Sequence, residues 1–356
     1  MRLRNALLLS AGVVFIVFFI FSFMPADPSR EMLGQRTDSL SKSIINHDFA
    51  LDQPPSVRFL IYLNDLLPLS VYNRKVKDSP IYLDPAKYKK AFKMFYFGAD
   101  KAIVFKSPYL RRSYQNKDDV FLMLKSRFTE SAILVVAAIC IAVILGVLLG
   151  IISAIKKKSW IRKAIMSFAN IVISLPVFFL AIVVAWVFGF LLHRYTGLNM
   201  TGGLYSIDPF AGEYINWKNL ILPAIVLSIR PMALIIHQTQ YLYKTVMNQH
   251  YIMTAKAKGI RRAMIILNHA WLNTTAPLLV LSHRWLGSML AATLFVEFIF
   301  GWNGIGKLTV KAIDHADMPV LMGAVVFISV IYILLRMTAG LIYSTVDPRV
   351  DLQTKI

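Results

Sequence analysis

The sequence predicts an all-α integral membrane protein with six transmembrane helices and one large loop after the first of them. Three observations carry this. Hydrophobic residues make up 57% of the 356 residues and charged ones only 16%, where a soluble domain averages about 25% charged residues. Apolar runs recur six times along the chain, each near the length that crosses a hydrocarbon core of ~30 Å at ~1.5 Å per residue. Between the first two lies a polar, aromatic and proline-punctuated stretch, residues 25–125, with no apolar run long enough to cross. The net charge of +20 belongs to loops and lipid headgroups in such a protein, not to nucleic acid. Cys140 is the sole cysteine, which excludes an intrachain disulfide and argues against a cysteine-based metal site.

The first run, Leu7 to Phe23, follows Arg2 and Arg4 and exits through Phe23-Met-Pro-Ala-Asp-Pro28 with no small-x-small cleavage pattern. It reads as a retained span. In the polar stretch, Ala86 to Phe97 carries Lys87, Lys89, Lys90 and Lys93 beside Phe92 and Phe95 to Phe97. That is an amphipathic helix, lying either on a surface or within a small cap. The second span, Ser131 to Ile155, contains Gly146-Val-Leu-Leu-Gly150, a spacing that lets two helices approach closely. The third, Ile165 to Leu192, contains Ser174-Leu-Pro176, and a proline there kinks a helix. His193 to Lys218 is a glycine-rich loop. The fourth span is Leu220 to Tyr243, with Pro223 and Arg230-Pro231; the fifth is Pro277 to Phe300; the sixth is Val320 to Tyr343. The resulting boundaries are a first helix at 1–24, an outer loop or cap at 25–125, a five-helix core at 126–346 and a tail at 347–356.

Charge sets the orientation. The loop after span two carries five Lys/Arg between Lys156 and Lys163 and no acid. The loop after span four carries Lys244, Lys256, Lys258, Arg261 and Arg262, again with no acid, whereas the opposite short loops are near balance. The positive-inside rule puts the basic loops and both termini in the cytoplasm, and the long loop after span one is discounted because long loops translocate regardless of charge.

Three sets of residues invite a chemical reading. Gly301 to Lys307 has the spacing G-x-x-x-x-G-K, but Leu308 stands where a phosphate-binding loop needs Ser or Thr, and no strand precedes it. A tight turn is the better reading. Arg230, His237, His283, Arg284, Glu297 and Arg336 are ionisable residues inside spans, so they either pair between helices or line a polar pathway. A proton relay needs acids, and Glu297 is almost alone. Finally, Tyr251-Ile-Met-Thr-Ala-Lys-Ala-Lys-Gly259 is a basic knuckle with small residues at Ala255, Ala257 and Gly259. It reads as helix, glycine turn, then a second helix from Ala263 toward Pro277. The knuckle is either a docking element or a basic loop against headgroups.

Taken in order, these residues resemble a known family. Tyr251, Thr254, Ala255, Ala257, Lys258 and Gly259, then His269-Ala270 and Pro277, have the spacing of the cytoplasmic coupling loop (about 244–276) of bacterial ABC-importer permeases. The resemblance is specifically to the first permease of dipeptide/oligopeptide (and nickel) uptake systems. Phe23 to Pro28, Leu51 to Pro54, Ser174 to Pro176, Ile221 to Pro223, Glu297 to Phe300, Gly304 to Gly306, Asp317 to Pro319 and Asp347 to Arg349 also resemble that family. His250 departs from it, standing where the pattern has an acid, and residues 70–125 match nothing in it. The resemblance implies a type I importer-permease fold in the bacterial inner membrane, forming half of a peptide-translocating pore. It implies a second homologous permease subunit, two ATPase subunits that hold the ATP and Mg, an extracytoplasmic substrate-binding protein and the lipid membrane as partners. It implies no cofactor, metal or catalytic residue on this chain. The pore-side candidates are Arg230, His283, Arg284, Glu297 and Arg336. The rival classes are an ion-coupled secondary transporter or channel acting without an ATPase, and a structural membrane protein.

Overall fold

The computed structural model describes residues 3–22, 52–73, 81–82, 92–97, 100–156, 159–210, 212–261, 264–265 and 272–346. It divides into two compact units. The first comprises Leu7–Ser126 with Lys311–Ser329, and the second, the core unit, is chiefly Arg127–Val310 with Val330–Ile356.

In the first unit, helix α1 (Leu3–Ser22, from Leu7 onward) meets α2 (Pro55–Leu66). Their contact is aromatic: Phe15, Phe18 and Phe19 each lie within 6 Å of Phe59, and Phe18 lies 5.6 Å from Tyr62. A three-stranded antiparallel sheet follows, β1 (Leu69–Asn73), β2 (Phe92–Phe97) and β3 (Lys101–Phe105), in the order β1-β3-β2. A small sheet therefore accompanies the helices. The helix expected over Ala86 to Phe97 is a strand where it is described; 83–91 lie outside the described residues. Phe-Lys-Met-Phe-Tyr-Phe is rich in aromatics that suit a pleated surface, and pairing with β3 decided the matter, with a bulge between Lys93 and Phe95. Ala102 and Val104 of β3 bury with Tyr72 of β1 in a small core.

Beneath this sheet sits Lys106, only 3% exposed. Its ammonium donates to the Asp65 carbonyl at 2.5 Å and lies 5.7 Å over the Tyr72 ring. Burial lowers its pKa to about 8, against the opposing pull of the Asp65 carboxylate. Nearby, Asp317 accepts from the Ser113 hydroxyl and from the Tyr114 amide at 3.1 Å, tying the start of the last helix to the segment after the sheet.

The core unit is helical. The elements that follow are α3 (Val120–Ile155), α4 (Trp160–Ser174), α5 (Val177–Val184) with a π-helical continuation (Ala185–Leu191), and the short α6 (His193–Thr196). After a hairpin, β4 (Tyr205–Asp208) with β5 (Gly212–Ile215), come α7 (Lys218–Met247), α8 (His250–Ala257), α9 (Leu272–Phe300), α10 (Ile305–Asp314) and α11 (Met318–Val346). Among the described residues three helices are long and apolar enough to cross a membrane, α3, α7 and α11, and two bent pairs qualify if each is one span. The linker expected as pure loop holds the β4–β5 hairpin, closed by Gly212 at φ +80°.

Span three is broken rather than kinked. Leu175, the residue before Pro176, is extended (φ −85°, ψ 139°), as the steric demand of the proline ring requires. The two helices meet at 112°. Helix α3 packs on α7 through its two glycines. A Cβ on Gly146 would lie 2.9 Å from Ile235, and one on Gly150 would lie 2.5 Å from Thr239. No side chain fits at either point, so the spacing read from the sequence is a contact seam.

Two outcomes test these packing arguments. Gly150→Val forces α3 away from α7, at a cost of roughly 1–3 kcal/mol, and is expected to lower the melting temperature of the detergent-solubilised protein; an unchanged midpoint counts against the seam. For Lys106, the unfolded chain binds more protons than the folded one between the folded value near 8 and the ordinary lysine value, so stability rises with pH there. Wild type is expected to gain about 1 kcal/mol between pH 8 and 9, read as a rise in melting midpoint, and Lys106→Met is expected to lose that slope.

Candidate docking helix and glycine-rich turn

The basic knuckle forms α8, two turns long, between Gln249 (φ −73°, ψ 150°) and Lys258. Its exit is a Schellman motif. The Gly259 amide donates to the Lys256 carbonyl at 3.0 Å, and the Ile260 amide donates to the Ala255 carbonyl at 3.3 Å. Gly259 sits at φ +74°, a region closed to most side chains by steric conflict between Cβ and the backbone. A Cβ there would meet nothing within 4 Å, so the demand for glycine comes from the backbone alone.

The helix has two faces. Ile252, Ala255 and Ile265 form a buried cluster, with Met247 and Ile260 packed against it. Tyr251 (44% exposed), Met253, Thr254, Ala257, Lys258 and Gly259 are exposed, while Lys256, also exposed, borders a pocket with Met247, Ile260 and Ile265. Of the sequence-selected residues, then, Ala255 faces inward as an anchor, and Tyr251, Thr254, Ala257, Lys258 and Gly259 face outward. The anchors Ile252 and Ile265 and the exposed Met253 were not among the selected residues. An apolar recurrence at Ile252, Ala255 and Ile260, at helical spacing, was the available signal. The second helix expected from Ala263 onward falls mostly outside the described residues, and Pro277 lies inside α9.

The glycine-rich stretch 301–307 is a turn built on one carboxylate. Helices α9 and α10 meet at 71° across it, with Gly301 at φ +69°. Glu297 is 0% exposed; its Oε2 accepts from the Gly306 amide at 2.6 Å and the Lys307 amide at 3.3 Å. These are the orphan donors at the start of α10, and a negative charge is favourable there. Ser131 Oγ takes the Ile305 amide at 2.9 Å, and the buried Trp302 ring nitrogen donates to the Glu130 carbonyl at 3.0 Å. Lys307 turns back to the Gly301 carbonyl at 2.8 Å and the Asn303 side chain at 2.9 Å. The amides a phosphate would need are occupied by the chain's own glutamate.

Glu297 thus engages backbone amides rather than a basic side chain. Among the described residues, the other ionisable side chains in the spans do not gather around it. His283, on α9, has its Nε2 3.2 Å from the Thr338 hydroxyl of α11. Arg230 and Arg336 are exposed on α7 and α11. Arg284 lies on α9, and its side chain is outside the described residues. Among the described residues no group of three His, Cys, Asp or Glu side chains could hold a metal ion.

The chain is similar to known membrane transport permeases. The chain is 27% identical, over 95% of its length and 94% of the relative's, to the dipeptide transport system permease protein DppB of Alkalihalophilus pseudofirmus. It is 32% identical to the Bacillus subtilis protein of the same name, over 78% of this chain and 82% of that one. The di/tripeptide transport system permease protein of Pseudomonas aeruginosa is 25% identical over 95% of this chain and 94% of its own length. Among solved structures, the inward-facing MetNI methionine ABC transporter contains a chain of which 97% matches 64% of this one, with a TM-score of 0.51 at 13% identity. At that identity the likeness is one of fold, that of the type I ABC-importer permeases. The family described as "Binding-protein-dependent transport system inner membrane component" covers residues 146–352, which takes in the α3–α7 seam, α8 and the glutamate-capped turn, and the chain belongs to that family.

Proposed function

We propose that this chain is one of two membrane subunits of an ATP-driven importer of short peptides in the bacterial inner membrane, and that α8 is where an ATPase subunit docks. The observation that carries this is the two-faced α8: a short helix, anchored by Ile252, Ala255 and Ile265, that presents a small-residue and basic face ending in a glycine turn. The peptide substrate rests on the names of the relatives. The cytoplasmic placement of α8 and of both termini rests on the charge asymmetry of the short loops. The chain carries no hydrolytic step itself. ATP and Mg belong to two ATPase subunits below, a second homologous permease completes the pore, and an extracytoplasmic binding protein supplies the peptide. In this arrangement closure of the ATPases moves α8, and the helices continuous with it swing the pore between its two openings as rigid levers.

The rival, an ion-coupled carrier acting alone, needs a carboxylate free to exchange protons within the spans. Glu297 is the only acid between Glu213 and Asp314, and its Oε2 is taken up by the α10 amides.

Four outcomes test the proposal. Gly259→Arg is expected to abolish peptide uptake and peptide-stimulated ATP hydrolysis while the protein still inserts; normal uptake by that variant would sink the assignment of α8. Because the constraint at Gly259 is conformational, Gly259→Asn is expected to retain more uptake than Gly259→Val, which takes the full left-handed cost of roughly 1–2 kcal/mol. Glu297→Gln is expected to leave the pH profile of uptake in place but lower the melting midpoint, since each buried hydrogen bond from the α10 amides contributes about 0.5–1.5 kcal/mol and the new side-chain amide brings donors to a site of donors. A shifted pH profile with unchanged stability would revive the proton-coupled rival. Affinity purification in mild detergent, with an ATPase and a second permease co-eluting, checks the partners.

A further inference from the structure

Helix α7 exposes different chemistry along its two halves. Toward Lys218 its exposed residues include Ile221 and Ile225. Toward Met247 they are Arg230, Tyr241 and Thr245, with His237 and Gln238 half-buried between them. Arg230, His237, Tyr241 and Thr245 recur at helical spacing, so they share one face. Farther up the same face Pro223, Val226 and Leu227 are buried in the core. The polar stripe therefore opens toward the end of α7 that leads into α8 and closes at Val226 and Leu227. By contrast, α3 exposes Ile144, Leu148 and Ile152, and α5 exposes Phe178 and Ile182, side chains that lipid accepts. Among the described residues, no hydrogen bond or ion pair engages the side chains of Arg230, His237, Gln238 or Tyr241. Arg230 stands ~18 Å along the axis from one end of α7 and ~25 Å from the other, deep within a hydrocarbon core of ~30 Å. A guanidinium at that depth is costly against lipid and belongs in a bundle interior or a water-filled path.

We infer that this face of α7 lines the route of the transported peptide, and that Arg230, at the closed end of the stripe, receives the peptide's terminal carboxylate. The inference rests on the importer reading above and names the substrate group that the path recognises. A carboxylate is the one anion common to all unmodified short peptides, whatever their side chains. Arginine meets it with a planar two-donor fork, while His237, Gln238 and Tyr241 offer hydrogen bonds that any peptide backbone can use. The competing occupant is a helix of a second permease. Such an interface would run on along the face, whereas this stripe stops halfway, at side chains buried in the chain's own core.

The test starts from the full chain with Cys140→Ala and adds one cysteine at a time: Leu234→Cys or Tyr241→Cys on the stripe, or Ile144→Cys on the exposed face of α3. Inside-out membrane vesicles holding the whole importer, with the α8 end of the chain toward the reagent, are treated with a membrane-impermeant maleimide. The stripe cysteines are expected to react about tenfold faster than Ile144→Cys, since the reacting thiolate forms only where water reaches. Labelling as slow as at Ile144→Cys overturns the path and assigns the stripe to lipid or to a second subunit. An unmodified dipeptide is expected to slow labelling of Leu234→Cys about threefold at twice its dissociation constant, whereas its C-terminal amide leaves the rate alone. Adding Arg230→Gln is expected to abolish that protection, and Arg230→Lys to keep part of it. Equal protection by the two dipeptides, or protection that survives Arg230→Gln, overturns the role of Arg230. Should Arg230→Gln fail to insert, the comparison of free and amidated dipeptide decides, because it leaves Arg230 in place. No protection by a dipeptide that the wild-type importer takes up also overturns it. Absence of uptake by wild type counts instead against the peptide reading above, and the labelling rates still decide whether the stripe is a water path.

Discussion

The constraint on which this structure turns is that a helix ending inside an apolar body has no water for its unpaired amides and carbonyls. Each break in the core unit is therefore a place where a particular residue supplies the missing partner or the missing conformation. At the α9–α10 corner that residue is Glu297, whose carboxylate takes two amides of α10, with Ser131 taking a third. The exposed end of α8 is closed by Gly259, whose left-handed conformation lets its own amide and that of Ile260 reach back into the helix. At the α4–α5 corner Pro176 has no amide to satisfy, and the residue before it is extended.

The same reasoning separates the two sides of α8. A helix of eight residues does not hold itself together in water, so its persistence depends on the Ile252, Ala255 and Ile265 cluster. That division of labour leaves the outer face unburdened. Small and basic residues there contribute little to folding, which makes them available to a partner surface.

Much of this was legible in the chain. The long apolar runs mark the helices, although α3 begins well before its apolar run, at Val120. The glycine at 259 marks a helix end because only a left-handed turn explains it in that setting. The glycine pair at 146 and 150 marks a seam, yet only the structure names Ile235 and Thr239 as its other side. The strand at Phe92–Phe97 was not legible. Its lysines and aromatics satisfy a helical wheel as readily as a pleat, and the choice was made by β3, from which β2 takes its hydrogen bonds.

By itself the sequence determined the class of solvent, the approximate course of the helices and the position of the left-handed turn, because these follow from local composition and backbone sterics. Tertiary structure decided what Glu297 does, how sharply the chain turns at Pro176, and which face of α8 is anchored. Those depend on groups brought together from distant parts of the chain: a carboxylate reaches amides nine and ten residues on, a serine reaches an amide 174 residues away, and the anchor of α8 includes Ile265, beyond the turn that ends it.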